Sequence, residues 1–150
     1  MNKPQIYLDT CSIQRPFDDR SQPRIYVEAE AVLAIIRWVE TGHVQLLSSD
    51  VLQFEVSRII NTHRKSDAEA ILRLAGRVAP IDESTRILGE KIIATGIKPF
   101  DALHAAVAIE NNAGYFCTCD DKLLKMLKRL TIACSTQFLS PLELILEITA

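Results

Sequence analysis

Four acidic residues stand where packing alone would not put a charge. Asp9 directly follows the apolar run Ile6-Tyr7-Leu8. Asp120 follows a second such run, Tyr115-Phe116-Cys117-Thr118-Cys119. Glu55 shares a face with Val51, Leu52, Val56 and Ile59, because helical residues three and four apart are neighbours. Asp101 opens the segment 100–109, which is apolar nearly all round and therefore expected to be buried. Each acid has a modest explanation of its own. Asp9 and Asp120 can cap the segments that follow them. The helix dipole favours Asp101, and a buried arginine could neutralise Glu55. Taken together they suggest chemistry. Like charges ~4 Å apart repel by roughly 4 kcal/mol at an effective dielectric near 20, so four converging carboxylates call for a cation. All-oxygen donors select hard ions, Mg²⁺ or Mn²⁺. Such a centre acidifies water and clamps a phosphodiester, above all when two metals bind.

The elements that must position these acids alternate strand with helix. Ile6–Leu8 reads as a first strand and 14–23 as a loop. The segment 24–41 reads as a long helix with Gly42 just past its end. A strand over 44–47 leads through Ser48-Ser49-Asp50 into a helix over 51–60. Ser66 and Glu69 form a capping box for a helix through Leu74. A strand over 77–81 precedes a helix that starts at Asp82 or Ser84 and ends near Gly96. Pro99 opens the apolar helix 100–110, and the strand 115–119 leads into a helix over 122–130. A last strand is expected over 131–134, and Ser140-Pro141-x-Glu143 caps a closing helix. Alternation of this kind implies parallel βαβ units. The expected fold is a three-layer α/β/α domain with a central parallel sheet of about five strands. Asp9 and Asp120 then lie at carboxyl ends of strands, the edge where open parallel sheets bind ligands.

Composition sets the bounds. The chain has 150 residues, 48% hydrophobic and 24% charged, with a net charge of −2. That length suits one domain over 1–150, and the charge argues against a general nucleic-acid coat. The N-terminus lacks the apolar run of a secretory signal, which points to the cytoplasm. Four cysteines, Cys11, Cys117, Cys119 and Cys134, are expected to be thiols there. Cys117-x-Cys119 lacks the second pair that a zinc ribbon needs, so these read as structural.

The segments Leu8-Asp9-Thr10, Phe54-Glu55-Val56, Pro99-Phe100-Asp101-Ala102-Leu103-His104-Ala105-Ala106 and Thr118-Cys119-Asp120-Asp121 together resemble the PIN-domain family. The similarity runs through essentially the whole chain in the right order, and the Asp101 segment is its most distinctive part. The resemblance implies an endoribonuclease that cuts single-stranded RNA with Mg²⁺ or Mn²⁺. It implies that Asp9, Asp101 and Asp120 ligate metal, that Glu55 ligates a second metal or positions the water, and that Thr118 supports the site. Many small bacterial members are VapC-like toxins neutralised by an antitoxin, so an antitoxin partner and a homodimer are family expectations. Many members carry Asn two residues after the first Asp, where this chain has Cys11.

Other residues carry weaker signals. His104 lies one turn after Asp101, within reach of the site, and reads chiefly as a packing residue. Lys98, Arg15 and Arg24 are candidates for RNA phosphates, and Trp38 and Tyr26 for the core or a partner interface. A haloacid-dehalogenase-type phosphatase needs a second Asp where Cys11 stands. A receiver domain needs an acidic pair that Asn2-Lys3-Pro4-Gln5 does not supply. The rival of a different class is a non-catalytic PIN-fold module acting through a protein or RNA partner. Retention of the acids favours the enzyme.

Overall fold

Five short strands pair side by side in a computed structural model that describes residues 3–150. They are β1 (Gln5–Leu8), β2 (Gln45–Ser49), β3 (Arg77–Ala79), β4 (Tyr115–Cys117) and β5 (Gln137–Leu139). Their order is β3-β2-β1-β4-β5 and every pairing is parallel. The eight helices are α1 (Thr10–Gln14), α2 (Pro23–Glu40), α3 (Asp50–Ser57), α4 (Thr62–Leu72), α5 (Glu83–Ile93), α6 (Pro99–Glu110), α7 (Asp121–Lys128) and α8 (Pro141–Thr149). They flank the sheet as the α/β/α layering requires. Ile6, Tyr7 and Leu8 of β1 are fully buried, as is Phe116 of β4, and half of α6 is buried. A strand covered on both faces reads as a continuous apolar run, and that is why β1 and β4 were legible in the sequence. No helix among the described residues is long and apolar enough to cross a membrane.

Strand order places the site. From β1 the chain builds outward to β2 and β3, then returns to add β4 and β5 on the other side. The direction therefore switches between β1 and β4, and crevices at such switch points are where doubly wound sheets bind ligands. Leu8 pairs with Cys117, and the Asp9 amide donates to the Cys117 carbonyl at 3.2 Å. The ends of β1 and β4 thus deliver Asp9 and Asp120 side by side.

Three expectations need correction. The run 131–134 is not a strand; Thr131, Ala133 and Cys134 are exposed, and the fifth strand is Gln137–Leu139, whose Phe138 packs against Phe116. Residues 14–17 are not loop. Asp9 caps α1, and Arg15–Phe17 form a turn of 3-10 helix. The helix α4 does not start at Ser66. Asn61 caps it by accepting from the Arg64 amide at 3.0 Å, which leaves Ser66 mid-helix. The capping box at Ser140 and Glu143 is present with both hydrogen bonds. Ser140→Ala should cost about 1 kcal/mol in chemical denaturation. The Ser140 amide and the Lys128 ammonium hold Glu143 below the usual carboxylate range. Its contribution is therefore complete above the ordinary glutamate range and fades as pH falls through the lower folded value.

Candidate active site

Asp9, Glu55, Asp101 and Asp120 line one cleft of about 260 Å³, together with Thr10, Cys11, Gln14, His104 and Leu123. No lysine or arginine is among the described residues that line it. A larger cavity of about 460 Å³ opens between α3, α4 and β3, but Glu69 is its only acid among the described lining residues.

The two strand-end aspartates cap helices and face the cleft at once. Asp9 Oδ1 accepts from the Ser12 amide and from the Cys11 thiol, both at 3.1 Å. Asp120 Oδ1 accepts from the Leu123 amide at 3.1 Å. In each case capping occupies Oδ1, so Oδ2 remains as an acceptor. Capping and a site role, which looked like alternatives in the sequence, are compatible. Thr118 is buried and does not line the cleft; its hydroxyl accepts from the Asp120 amide at 3.1 Å and lies 3.5 Å from the Cys11 sulfur. Asp121 points elsewhere, in a bidentate pair with Arg24 on α2.

Asp101, in the first turn of α6, has its carboxyl pushed up by burial and then by the negative charges of Asp9, Asp120 and Glu55, with His104 opposing. The opposing neighbour does not reverse the result, so the cleft as a whole disfavours another anion. Glu55 behaves differently. Burial alone would raise it, but hydrogen bonds from His104 and Thr10 hold it below the ordinary range. The Thr10 hydroxyl donates to Oε1 at 2.5 Å, and His104 Nε2 contacts the same oxygen. His104 is therefore part of the site as well as a packed residue, with 1% of its surface exposed.

Cys11 occupies the place where the resemblance led us to expect Asn, and its thiol supplies a donor to Asp9. The hydrogen bond with Cys119, then burial and the Asp9 charge, push the Cys11 thiol up, which keeps its proton in place. All four cysteines are free thiols. Partners of this kind commonly tune metal affinity or activity by 10–100-fold. Cys11→Ala should weaken Mn²⁺ binding about tenfold, and Cys11→Asn should restore it; titration calorimetry reads both.

Among the described residues no three histidine, cysteine or acidic side chains are gathered tightly enough to clasp a metal ion as they stand. The donor set still fits a hard divalent cation. The four carboxylates offer only oxygen, no lysine or arginine in the described lining offsets their charge, and Mg²⁺ needs only one or two carboxylates because it keeps several waters.

A family model described as PIN domain matches residues 6–128. Among solved structures, the chain is similar to VapBC2 from Rickettsia felis, bound to a DNA fragment from their promoter, with TM-score 0.55 and 16% identity over 90% of this chain and 98% of that one. It is also similar to PAE2754 from Pyrobaculum aerophilum, with TM-score 0.57 and 14% identity over 99% of this chain and 98% of that one. At such identities the likeness concerns the fold. No curated protein matches the chain. With the sheet order, the placement of the acids and the family match in agreement, the chain belongs to the PIN domain family.

Proposed function

We propose that this protein is a metal-dependent endoribonuclease that cuts phosphodiester bonds of single-stranded RNA. The supporting observation is the cleft itself, with four carboxylates and no lysine or arginine among the described lining residues, at the switch point of a parallel sheet. Asp9, Asp101 and Asp120 would hold Mg²⁺ or Mn²⁺, and Glu55 would hold a second ion or orient the attacking water. When bound, the cation offsets charge on the scissile phosphate and makes water more acidic. The chain's own groups do the rest. Asp9 and Asp120 present one oxygen each from positions fixed by capping. Glu55, kept ionised by Thr10 and His104, can accept the water's proton. Thr118 fixes the turn that carries Asp120.

In the toxin–antitoxin reading, an antitoxin protein would cover exposed apolar side chains such as Tyr26, Val27 and Leu33 on α2 and Leu146 on α8. Arg15 and Arg24 are engaged with carboxylates, which leaves the exposed Lys98 beside the start of α6 as the candidate phosphate contact from the sequence. The test is end-labelled RNA offered as single strand and as duplex, with Mn²⁺ or with EDTA. Cutting of the single strand with Mn²⁺ alone supports the reading. Equal cutting in EDTA would overturn it.

A further inference from the structure

Ser49 of β2, Tyr7 of β1, His104 of α6 and Glu55 of α3 form one continuous run of hydrogen bonds. Tyr7 Oη lies 2.8 Å from Ser49 Oγ and 2.6 Å from His104 Nδ1, and His104 Nε2 contacts Glu55 Oε1. Tyr7, Ser49 and His104 are essentially inaccessible to solvent, so each proton must find an acceptor within the protein.

That requirement sets the direction of the run. The Leu52 amide donates to Ser49 Oγ at 3.1 Å. The Tyr7 phenol has a single proton to give. Glu55 Oε1, which accepts from the Thr10 hydroxyl, faces Nε2 of the ring. If Tyr7 donated to Ser49, the serine hydroxyl would have no acceptor among the described residues. If Tyr7 donates to Nδ1, Ser49 donates to Tyr7 and every proton is used. The run therefore reads Ser49 to Tyr7 to His104 to Glu55, with the ring as the Nε2–H tautomer. It begins at the N-terminus of α3 and returns to the carboxylate of that same helix by way of β1 and α6.

We propose that Tyr7 and His104 are positioning residues for Glu55. They pin Oε1, with Thr10 as a second donor, and so turn Oε2 to the cleft. This rests on the nuclease reading for what Glu55 does, and not for how it is held. Tyr7 matters because its hydroxyl, donating to Nδ1, fixes the orientation of the ring and so aims Nε2–H at Oε1. Without it Nδ1 has no donor and the ring can tilt, which loosens its hold on Glu55.

The experiment has two arms. The first is nitrogen NMR of ¹⁵N-histidine-labelled protein, which has three histidines; His104→Gln assigns the signal. Wild type should show the Nε2–H tautomer with a hydrogen-bonded Nδ1, and Tyr7→Phe should move the Nδ1 signal toward that of an acceptor nitrogen without a donor. The second is single-turnover cleavage of single-stranded RNA with Mn²⁺. Tyr7→Phe should lower kcat about tenfold, the usual effect of losing such a partner, with KM within about twofold. In a Glu55→Gln background the same change should cost nothing further, because the two act through one contact. His104→Gln, which retains a terminal N–H, should exceed His104→Leu, and this pair decides the matter if Tyr7→Phe does not fold. Equal losses from Tyr7→Phe with and without the Glu55 carboxylate would overturn the proposal, as would an Nδ1 signal that Tyr7→Phe leaves in place or equal activity of the two His104 variants. A wild-type chain that cuts no RNA, with the Nδ1 shift intact, would overturn the nuclease reading and leave the positioning of Glu55 standing.

Discussion

Asp101→Asn is expected to abolish cleavage and, in metal-free buffer, to melt at a higher temperature than wild type. Loss of one charge-stabilising group in an active site costs roughly two to three powers of ten in rate, and a lost ligand should cost at least that. The stability gain follows from the environment of the carboxyl. Asp101 stands in the first turn of α6, where the dipole favours an anion by roughly 0.3–1 kcal/mol. Burial and three neighbouring carboxylates nonetheless push its pKa up, so the unfavourable contributions prevail. A group raised in the folded state stabilises the fold in its protonated form. That contribution is complete below the ordinary aspartate range and is lost as pH rises through the folded value. Asparagine keeps it at neutral pH. A gain of about 1 kcal/mol would appear as a rise of roughly 2–4 °C in a chain of this size. The gain should vanish as pH falls below the ordinary aspartate range. Adding Mn²⁺ should reverse the order, by raising the melting temperature of wild type and not of the variant. Calorimetric melting with and without EDTA reads all three outcomes.

The largest loss of stability is expected from Arg15→Met. Glu28 of α2 is buried with 3% of its surface exposed. Arg15 Nε lies 3.3 Å from its Oε1, and Arg24 reaches the other oxygen from a more exposed position at 3.5 Å. Arg15 Nε makes no directed hydrogen bond, so the pairing is mainly of charge with charge. Removing one partner of a buried pair costs about 3–5 kcal/mol, because the other charge is left uncompensated. Arg24 lowers that toward about 3 kcal/mol, a drop of roughly 6–12 °C at 2–4 °C per kcal/mol. Pairing Arg15→Met with Glu28→Leu should recover most of the loss, since a buried ion pair is often replaceable by apolar groups of similar volume. A single variant that loses under ~1 kcal/mol in urea, well short of the cost of a broken buried pair, would show that Glu28 is not held by Arg15.

These two residues also show where the sequence was hard to read. Glu28 sits in Val27-Glu28-Ala29-Glu30, and nothing local separates it from its solvated neighbour Glu30. Its burial follows from tertiary packing, and its partner Arg15 lies in a segment that reads as a loop. Asp9, Glu55, Asp101 and Asp120 were legible because each interrupts an apolar pattern, and the structure lines one cleft with all four. The strands β1 and β4 were legible through their continuous apolar runs, and β2 through Val44, Leu46 and Leu47 ahead of a helix-capping serine. The strand β5 was not, because it has three residues and one fully committed core side chain, while the nearby 131–134 has better strand composition and no partner strand. His104 and Tyr7 were hidden for a related reason. Both are good core residues by pattern, and only the crossing of β1, α3 and α6 shows that their polar atoms meet.

One comparison decides whether the acidic cleft cuts RNA with a metal. End-labelled single-stranded RNA is incubated with wild type and with Asp9→Asn, each in Mn²⁺, in Mg²⁺ and in EDTA. Cleavage by wild type in metal, abolished by EDTA and by loss of the Asp9 carboxylate, is the predicted result. Cleavage that survives in Asp9→Asn, or the absence of both cleavage and any metal-induced rise in melting temperature in wild type, would contradict the account.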